Sequence, residues 1–178
     1  MDPVPADDKA AIDRRDDERQ YERPARPVHL WVIDLDSKTP TRITSGTDFT
    51  IQGALSWARG GDLVAFTAGA SALLRDGRRD IYVANLETKA AEKISTNFGP
   101  DTTPRFSPDG RQLAYLAELV TAPPIGDGTP RGTVAQSRVM LYDLRTKETK
   151  DVTGTLPVDP STPHWTPDGA RLVFTAGT

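Results

Sequence analysis

The chain contains no cysteine in its 178 residues. This absence excludes disulfides, zinc–thiolate sites and thiol nucleophiles. It leaves the compartment undecided between cytoplasm, periplasm and secretion, since many exported proteins also lack cysteine. Long hydrophobic runs are missing too: none approaches a membrane span, and residues 1–8 lack the basic start and apolar stretch of a signal peptide. We therefore expect a soluble chain without a membrane partner.

An excess of positive charge is also missing. There are 22 Lys and Arg against 25 Asp and Glu, which gives a formal net charge of -3. Such a chain has no broad basic face for a phosphate backbone. We therefore expect no nucleic-acid partner.

Residues 1–27 form a mostly charged segment, which we interpret as a solvated N-terminal arm or an irregular first strand. The alternative is a carboxylate site. However, Asp16, Asp17 and Glu18 are adjacent rather than spaced to one face of an element, so they do not converge easily on one ligand.

What the chain does contain is a repeated hairpin. In Ser107-Pro108-Asp109-Gly110, between two β-rich runs, Pro108 fixes φ, Asp109 bonds to its own backbone and Gly110 takes the left-handed position. The hairpin recurs with Pro167, Asp168 and Gly169. A divergent copy, which we call the worn hairpin, lies at residues 55–66, where Ala-Arg-Gly-Gly replaces Ser-Pro-Asp-Gly.

A second repeated unit is a strand, a short turn and another short strand, at residues 30–44, 81–95 and 139–153. The spacing runs slightly above a four-stranded propeller blade, roughly 40–50 residues. The excess lies at residues 68–79 and 121–136, and the Pro- and Gly-rich part of the latter predicts an exposed loop. Without sustained helical periodicity, the pattern predicts an all-β array of stacked sheets.

Residues 106–115 and 165–174 resemble the Trp-Ser-Pro-Asp-Gly repeat of TolB-type propellers. The lead-in at residues 12–16 and Tyr21, together with residues 29–35 and 42–44, resembles the first blades of prolyl-oligopeptidase-family serine peptidases, in the acylaminoacyl- and dipeptidyl-peptidase-like branch. The resemblance implies a partial β-propeller of about three four-stranded blades. It divides the chain into an outer half-blade (28–53), a blade (54–98), a second blade (99–156) and an inner half-blade (157–178).

The resemblance further implies a non-catalytic fragment that gates or docks peptides for an absent α/β-hydrolase domain. Ser71 lacks the second glycine of a Gly-x-Ser-x-Gly nucleophile elbow. His29 and His164 lie in different repeats, so we expect no catalytic, cofactor or metal residue. The alternative is a TolB-like module for protein–protein contact.

Two sets of residues receive structural roles. Pro108, Asp109, Gly110, Pro167, Asp168 and Gly169 are expected to build the repeat turns. Large side chains should fill the wedge between blades; they are Trp31, Trp57, Phe66, Phe106, Tyr115, Trp165 and Phe174.

The expected partners are the rest of the propeller, the hydrolase domain, peptides and a second copy of the chain. Self-association is expected because an open array leaves its terminal sheets uncovered, with Val32, Leu172 and Phe174 available for contact.

Overall fold

A computed structural model of the chain describes residues 27–69, 78–120, 134–154 and 156–177. All regular elements in these ranges are strands, which confirms the predicted all-β class. They are β1 (Trp31–Ile33), β2 (Pro40–Arg42), β3 (Thr50–Trp57), β4 (Leu63–Gly69), β5 (Asp80–Asn85), β6 (Ala91–Lys93), β7 (Asp101–Phe106), β8 (Gln112–Val120), β9 (Val134–Asp143), β10 (Thr149–Asp151), β11 (Asp159–Pro160), β12 (His164–Trp165), β13 (Leu172–Val173) and β14 (Ala176–Gly177).

Two four-stranded antiparallel sheets form the centre of the molecule. Blade I has the order β3-β4-β5-β6, and blade II has the order β7-β8-β9-β10. Before blade I lies the pair β1–β2, and after blade II lie the pairs β12–β13 and β11–β14. The first strand of blade I begins at Thr50, inside the stretch 28–53 that the sequence assigned to the outer half-blade.

The connections define two ends of the array. At the turn end, β3–β4, β5–β6, β7–β8 and β9–β10 are joined by short turns. The loop end carries the connections β4–β5, β6–β7 and β8–β9. The β4–β5 and β8–β9 connections contain residues 70–77 and 121–133, so the predicted loop at 122–132 lies outside the described residues.

The turns that join β1 to β2, β5 to β6 and β9 to β10 share one construction. A side-chain oxygen of Asp34, Asn85 or Asp143 accepts backbone N–H groups within the turn. A lysine then takes a left-handed conformation, with φ of 56° at Lys38, 60° at Lys89 and 63° at Lys147. The acceptor oxygen and the left-handed residue together close the hairpin tightly.

The apolar core lies between sheets rather than within one. One cluster joins blade I to blade II and contains Ala65, Ile81, Phe106, Leu113, Tyr115 and Tyr142, all buried. A second cluster joins the other face of blade I to β1–β2 and contains Leu30, Ile43, Val64 and Phe66. Blade I therefore has apolar side chains on both faces, as expected for a sheet packed between neighbours.

The large side chains predicted to lie between blades differ in burial within the described residues. Phe66, Phe106 and Tyr115 are buried, and Trp165 and Phe174 are half-buried. Trp31 and Trp57, in contrast, are 42% and 52% exposed, so neither fills an inter-blade wedge among the described residues. The physical reason is that the sheets which would cover these two faces are not among those residues.

Candidate functional site

The predicted turn residues lie together at the turn end, in hairpins of one design. Gly110 and Gly169 have φ of +73° and +72°, and each donates its N–H to the residue three positions earlier at 2.9 Å. Asp109 accepts the backbone N–H of Arg111, and Asp168 accepts that of Ala170, each at 3.0 Å.

Neighbouring hydroxyl groups make these two carboxylates stronger acids. Ser107 Oγ donates to Asp109 at 2.6 Å and lowers its pKa. Thr166 Oγ1 does the same to Asp168 at 2.5 Å. Both carboxylates therefore accept hydrogen bonds from groups within their own turns.

The worn hairpin of blade I has the same backbone bond. Gly61, with φ of +82°, donates its N–H to Ala58 O at 2.9 Å. The turns also lie against one another, because a Cβ added at Gly110 would lie 3.9 Å from Ala58 Cβ, and one at Gly169 would lie 3.5 Å from Pro108 Cδ. Each turn therefore faces the turn of the preceding blade.

At the loop end, a buried side-chain hydroxyl recurs at the same position in three strand pairs, and the sequence pattern did not single it out. Thr44, Ser95 and Thr153 each accept a backbone N–H from the chain beside or within the neighbouring strand, from Leu30, Ile81 and Val139, at 2.9 Å in all three cases. The signal in the sequence is a Ser or Thr two positions after each of β2, β6 and β10. This bond fixes the loop end of every outer strand pair.

A charged pair flanks the hydroxyl in both complete blades, with opposite polarity. In blade I, Lys93 Nζ lies 2.8 Å from Asp80 Oδ2. In blade II, Arg138 Nε lies 3.7 Å from Asp151 Oδ2. Lys93 pairs with Tyr82 in blade I, and Asp151 pairs with Met140 in blade II. Asp80 and Arg138 each lie two residues before that strand partner, so the two charged pairs occupy equivalent positions.

Blade I adds a second carboxylate and forms what we call the junction cluster, made of Asp80, Lys93, Ser95, Asn97 and Asp101. Ser95 Oγ lies 3.5 Å from Asp80 Oδ1, and the Asn97 amide donates to Asp101 Oδ1. The Asp101 backbone N–H donates to Arg79 O at 2.7 Å. The cluster thus connects the end of blade I to the first residue of blade II.

The Asp101 carboxyl is fully buried. Burial raises the pKa of Asp101 to about 7, the negative charge of Asp80 adds to this, and the Ser95 hydroxyl, Lys93 and Asn97 oppose it. The pKa of Tyr115 rises to about 12, mainly through burial and then through the charge of Asp101. The junction cluster therefore contains a carboxyl that titrates near neutral pH.

Backbone strain lies beside this carboxyl. The β7–β8 register shifts between Thr102 and Arg105, and Thr103 has φ of 52°, which is costly for a β-branched residue. Its hydroxyl is buried without a hydrogen-bond partner in the described part of the chain. Strain and a perturbed carboxyl make the loop end of β7 the candidate site.

The chemistry available there is limited. No group of three or more metal-ligating side chains occurs in the described ranges. His29 Nδ1 lies 3.4 Å from Thr44 Oγ1 near β1, whereas His164 is exposed on β12, so the structure does not bring the two histidines together. Ser71 lies outside the described residues. The junction cluster can hold or release a proton and join two blades.

No helix in the described ranges is long and apolar enough to cross a membrane.

Comparison with solved structures identifies the architecture. TolB of Acinetobacter baumannii matches 82% of this chain and 31% of that chain, with a TM-score of 0.58 and 22% identity. The chain is part of a β-propeller. An oligogalacturonate lyase of Vibrio parahaemolyticus also matches, over 84% of this chain and 42% of that chain, with a TM-score of 0.64 and 14% identity. A structure from a study of two prolyl endopeptidases matches over 83% and 22%, with a TM-score of 0.58 and 18% identity.

The curated relatives of the chain are named either as peptidases or as TolB. Dipeptidyl-peptidase 5 of Porphyromonas gingivalis is 28% identical over 125 residues, covering 68% of this chain and 17% of that protein. The uncharacterized peptidase YuxL of Bacillus subtilis is 32% identical over 104 residues, covering 54% and 13%. The Tol-Pal system protein TolB of Alcanivorax borkumensis is 31% identical over 90 residues, covering 51% and 19%. The propeller chain thus spans less than a fifth of each relative, and no protein-family model matches it.

Proposed function

We propose that this chain is the non-catalytic propeller segment of a prolyl-oligopeptidase-like serine peptidase, and that it gates or docks peptide substrates for an α/β-hydrolase domain. The observation that carries the proposal is the peptidase relative that aligns over 68% of the chain. Its alignment is longer than that of the TolB relative, which covers 51%.

The geometry is compatible with a docking or gating role. Among the described residues, Asp109 and Asp168 serve the repeat turns, and Asp80 and Asp101 belong to the blade junction. The β4–β5 and β8–β9 connections both leave from the loop end. Connections that leave the same end of a sheet array are well placed to select what passes.

The test uses the natural polypeptide that carries this sequence. An antibody raised against the 178-residue chain captures it from its source cells, and a fluorophosphonate probe then labels any activated serine. We expect a labelled polypeptide several times longer than this chain. A captured polypeptide that stays unlabelled, while a serine peptidase added to the same lysate is labelled, would refute the peptidase proposal.

A matched assay addresses the chain alone. The purified 178-residue chain should not cleave a chromogenic aminoacyl substrate, because nucleophile, base and oxyanion hole are expected on the hydrolase domain. Turnover that copurifies with the chain and is lost in Ser71→Ala would place catalysis in the chain itself.

The second candidate function is a TolB-like module for protein–protein contact. It is supported by the TolB relative, which is 31% identical over 90 residues. In that case the captured polypeptide would be unlabelled by the probe and would copurify with a stoichiometric partner protein.

A further inference from the structure

Three strands of the array begin at one repeated position, and the residues there differ in how they are bonded. Thr50 is the first residue of β3, Asp101 of β7 and Asp159 of β11. Thr50 Oγ1 accepts the backbone N–H of Val28 at 2.8 Å, and Asp159 Oδ1 accepts that of Ser137 at 3.0 Å. Asp159 is exposed, whereas Asp101 is fully buried. Asp101 is therefore the member of this set whose carboxyl has lost contact with water.

Asp101 instead holds the β6–β7 connection, which leads from blade I to blade II. Its Oδ1 accepts the Asn97 amide, and Asn97 Oδ1 in turn accepts the Gly99 N–H. Pro100 O accepts the Glu118 N–H of β8 at 2.9 Å. The connection is also packed closely, since a Cβ added at Gly99 would lie 1.8 Å from Glu118 O. These contacts fasten the β6–β7 connection to blade II.

A negative charge on this carboxyl would have little support within the described part of the chain. Asp101 Oδ2 is buried without a hydrogen-bond partner there. Lys93 Nζ lies 2.8 Å from Asp80 Oδ2, and Arg78 Nε lies 3.8 Å from the same oxygen. Both cations thus lie against the neighbouring carboxylate. A charged Asp101 would add a second negative charge beside Asp80.

The other charged and titratable groups around β7 supply no closer counter-charge in the described ranges. β3 and β4 carry no charged side chain. Tyr115 of β8 stays neutral because burial raises its pKa to about 12, and Glu118 is a further carboxylate. The remaining groups are exposed, bind a carboxylate of blade II or lie towards the turn end of β7; they are Arg79, Arg138, Arg105 and His164.

We propose that residues 94–100, which we call the connector, form a proton-controlled clamp between blade I and blade II. The clamp is closed while Asp101 is neutral, and it loosens when the carboxyl gives its proton to solvent. The physical reason is that a carboxylate is stable only where water or a cation reaches it, and opening the connector admits water. Burial raises the pKa of Asp101 to about 7, so the change falls between about pH 6 and about pH 8.

Amide hydrogen exchange tests the clamp on the natural polypeptide that carries this sequence. Exchange is followed by mass spectrometry that resolves single amides, and each rate is compared with the intrinsic rate at the same pH. The Gly99 and Glu118 amides, whose hydrogen bonds close the connector, should lose protection by about tenfold from pH 6 to pH 8, because opening returns the pKa of Asp101 to about 3.9. Protection that does not change over this range would overturn the proposal.

An amide at the other end of the same strand pair separates a local change from a general one. The Ser107 N–H donates to Gln112 O at 2.8 Å at the turn end of β7 and β8. Its protection should stay constant from pH 6 to pH 8. A loss at Ser107 equal to that at Gly99 would show that the charge weakens the whole of blade II, which contradicts a clamp confined to the connector.

The repeat offers a matched pair of variants. Asp101→Asn keeps an oxygen for the Asn97 amide but cannot ionise, so the protection of Gly99 should become independent of pH. Asp159→Asn changes the exposed aspartate at the same repeat position and should leave the pH dependence as it is in the unmodified protein. A pH dependence that persists in Asp101→Asn would refute Asp101 as the group that controls the clamp.

A third variant tests the mechanism without altering the buried carboxyl. Asp80→Asn removes the neighbouring negative charge and frees Lys93 for Asp101, so the midpoint of the protection change should move to lower pH. A purely structural role of Asp80 would leave that midpoint in place, and this outcome would contradict the proposed charge balance. The inference does not rest on the peptidase proposal, because every readout is exchange at the junction between the two blades.

Discussion

Asp101 is a buried carboxyl group whose charged form is disfavoured by burial. Its pKa of about 7 lies above the value of about 3.9 expected in the unfolded chain. Between these two values the folded state binds more protons than the unfolded state, so this group makes stability fall as pH rises from about 4 to about 7. Above pH 7 the loss is complete and the contribution is constant.

Asp101→Asn should remove this contribution while keeping an oxygen for the Asn97 amide. The free energy of unfolding of the variant should exceed that of the unmodified chain by an amount that grows from pH 4 to pH 7. The gain is a few kcal/mol at most, at about 1.4 kcal/mol per pKa unit. Urea unfolding at several pH values measures the difference, and a difference independent of pH would show that Asp101 does not titrate in this window.

Two neighbouring glycines in the worn turn allow a matched comparison. Gly61 has φ of +82°, and an added Cβ would meet only Trp57 Nε1 at 3.8 Å, so Gly61→Ala should cost about 1 kcal/mol through backbone strain alone. Gly60 is not in the left-handed region, and its added Cβ would lie 3.0 Å from Oδ1 of Asp62. Because the Asp62 side chain is exposed and can rotate away, Gly60→Ala should change stability by less than about 0.5 kcal/mol. Thermal unfolding of both variants measures this, and equal losses would mean that the left-handed position is not what the turn requires.

At the scale of an element, the repeated hydroxyl fixes each outer strand pair. Ser95→Ala leaves the buried N–H of Ile81 without its acceptor, so the chain should lose about 1–3 kcal/mol. Ser95→Thr should retain most of the stability, because threonine does the same work at positions 44 and 153. Denaturant unfolding of the two variants decides the point: a threonine variant as unstable as the alanine variant would indicate lost packing rather than a lost acceptor.

The strands and hairpins could be predicted because their signals are local. Ser107-Pro108-Asp109-Gly110 specifies its turn through residues adjacent in sequence, and three copies of the pattern reveal the four-stranded unit. The left-handed lysines were not predictable in the same way. Nothing in the Lys89 side chain favours φ of 60°; the conformation follows from the turn that Asn85 closes.

The candidate site was harder to predict from the sequence, because it depends on residues that are distant in sequence but close in space. Asp80 and Asp101 meet only when the end of blade I reaches the start of blade II, and neither is conspicuous in a chain with 25 acidic residues. The exposure of Trp57 was missed for a related reason. Its repeat position predicts a buried side chain, but burial is decided by a neighbouring sheet rather than by the strand that carries it.

For the whole molecule, a propeller distributes its core between blades, so each sheet relies on the next for burial. Blade I has apolar clusters on both faces, whereas β12–β13 is covered by blade II on one side and leaves Val173 exposed on the other. A sheet with one uncovered face has lost part of the burial that stabilises it. The terminal pairs should therefore be the least stable parts of an isolated chain.

This leads to a prediction about local unfolding. Backbone amides of β12 and β13, a pair with one uncovered face, should exchange with deuterium faster than those of β4 and β8, whose side chains are mostly buried. Hydrogen–deuterium exchange followed by mass spectrometry of peptides from each strand measures the difference. Equal exchange rates in β13 and β8 would mean that the exposed face around Val173 does not limit the stability of its strand pair.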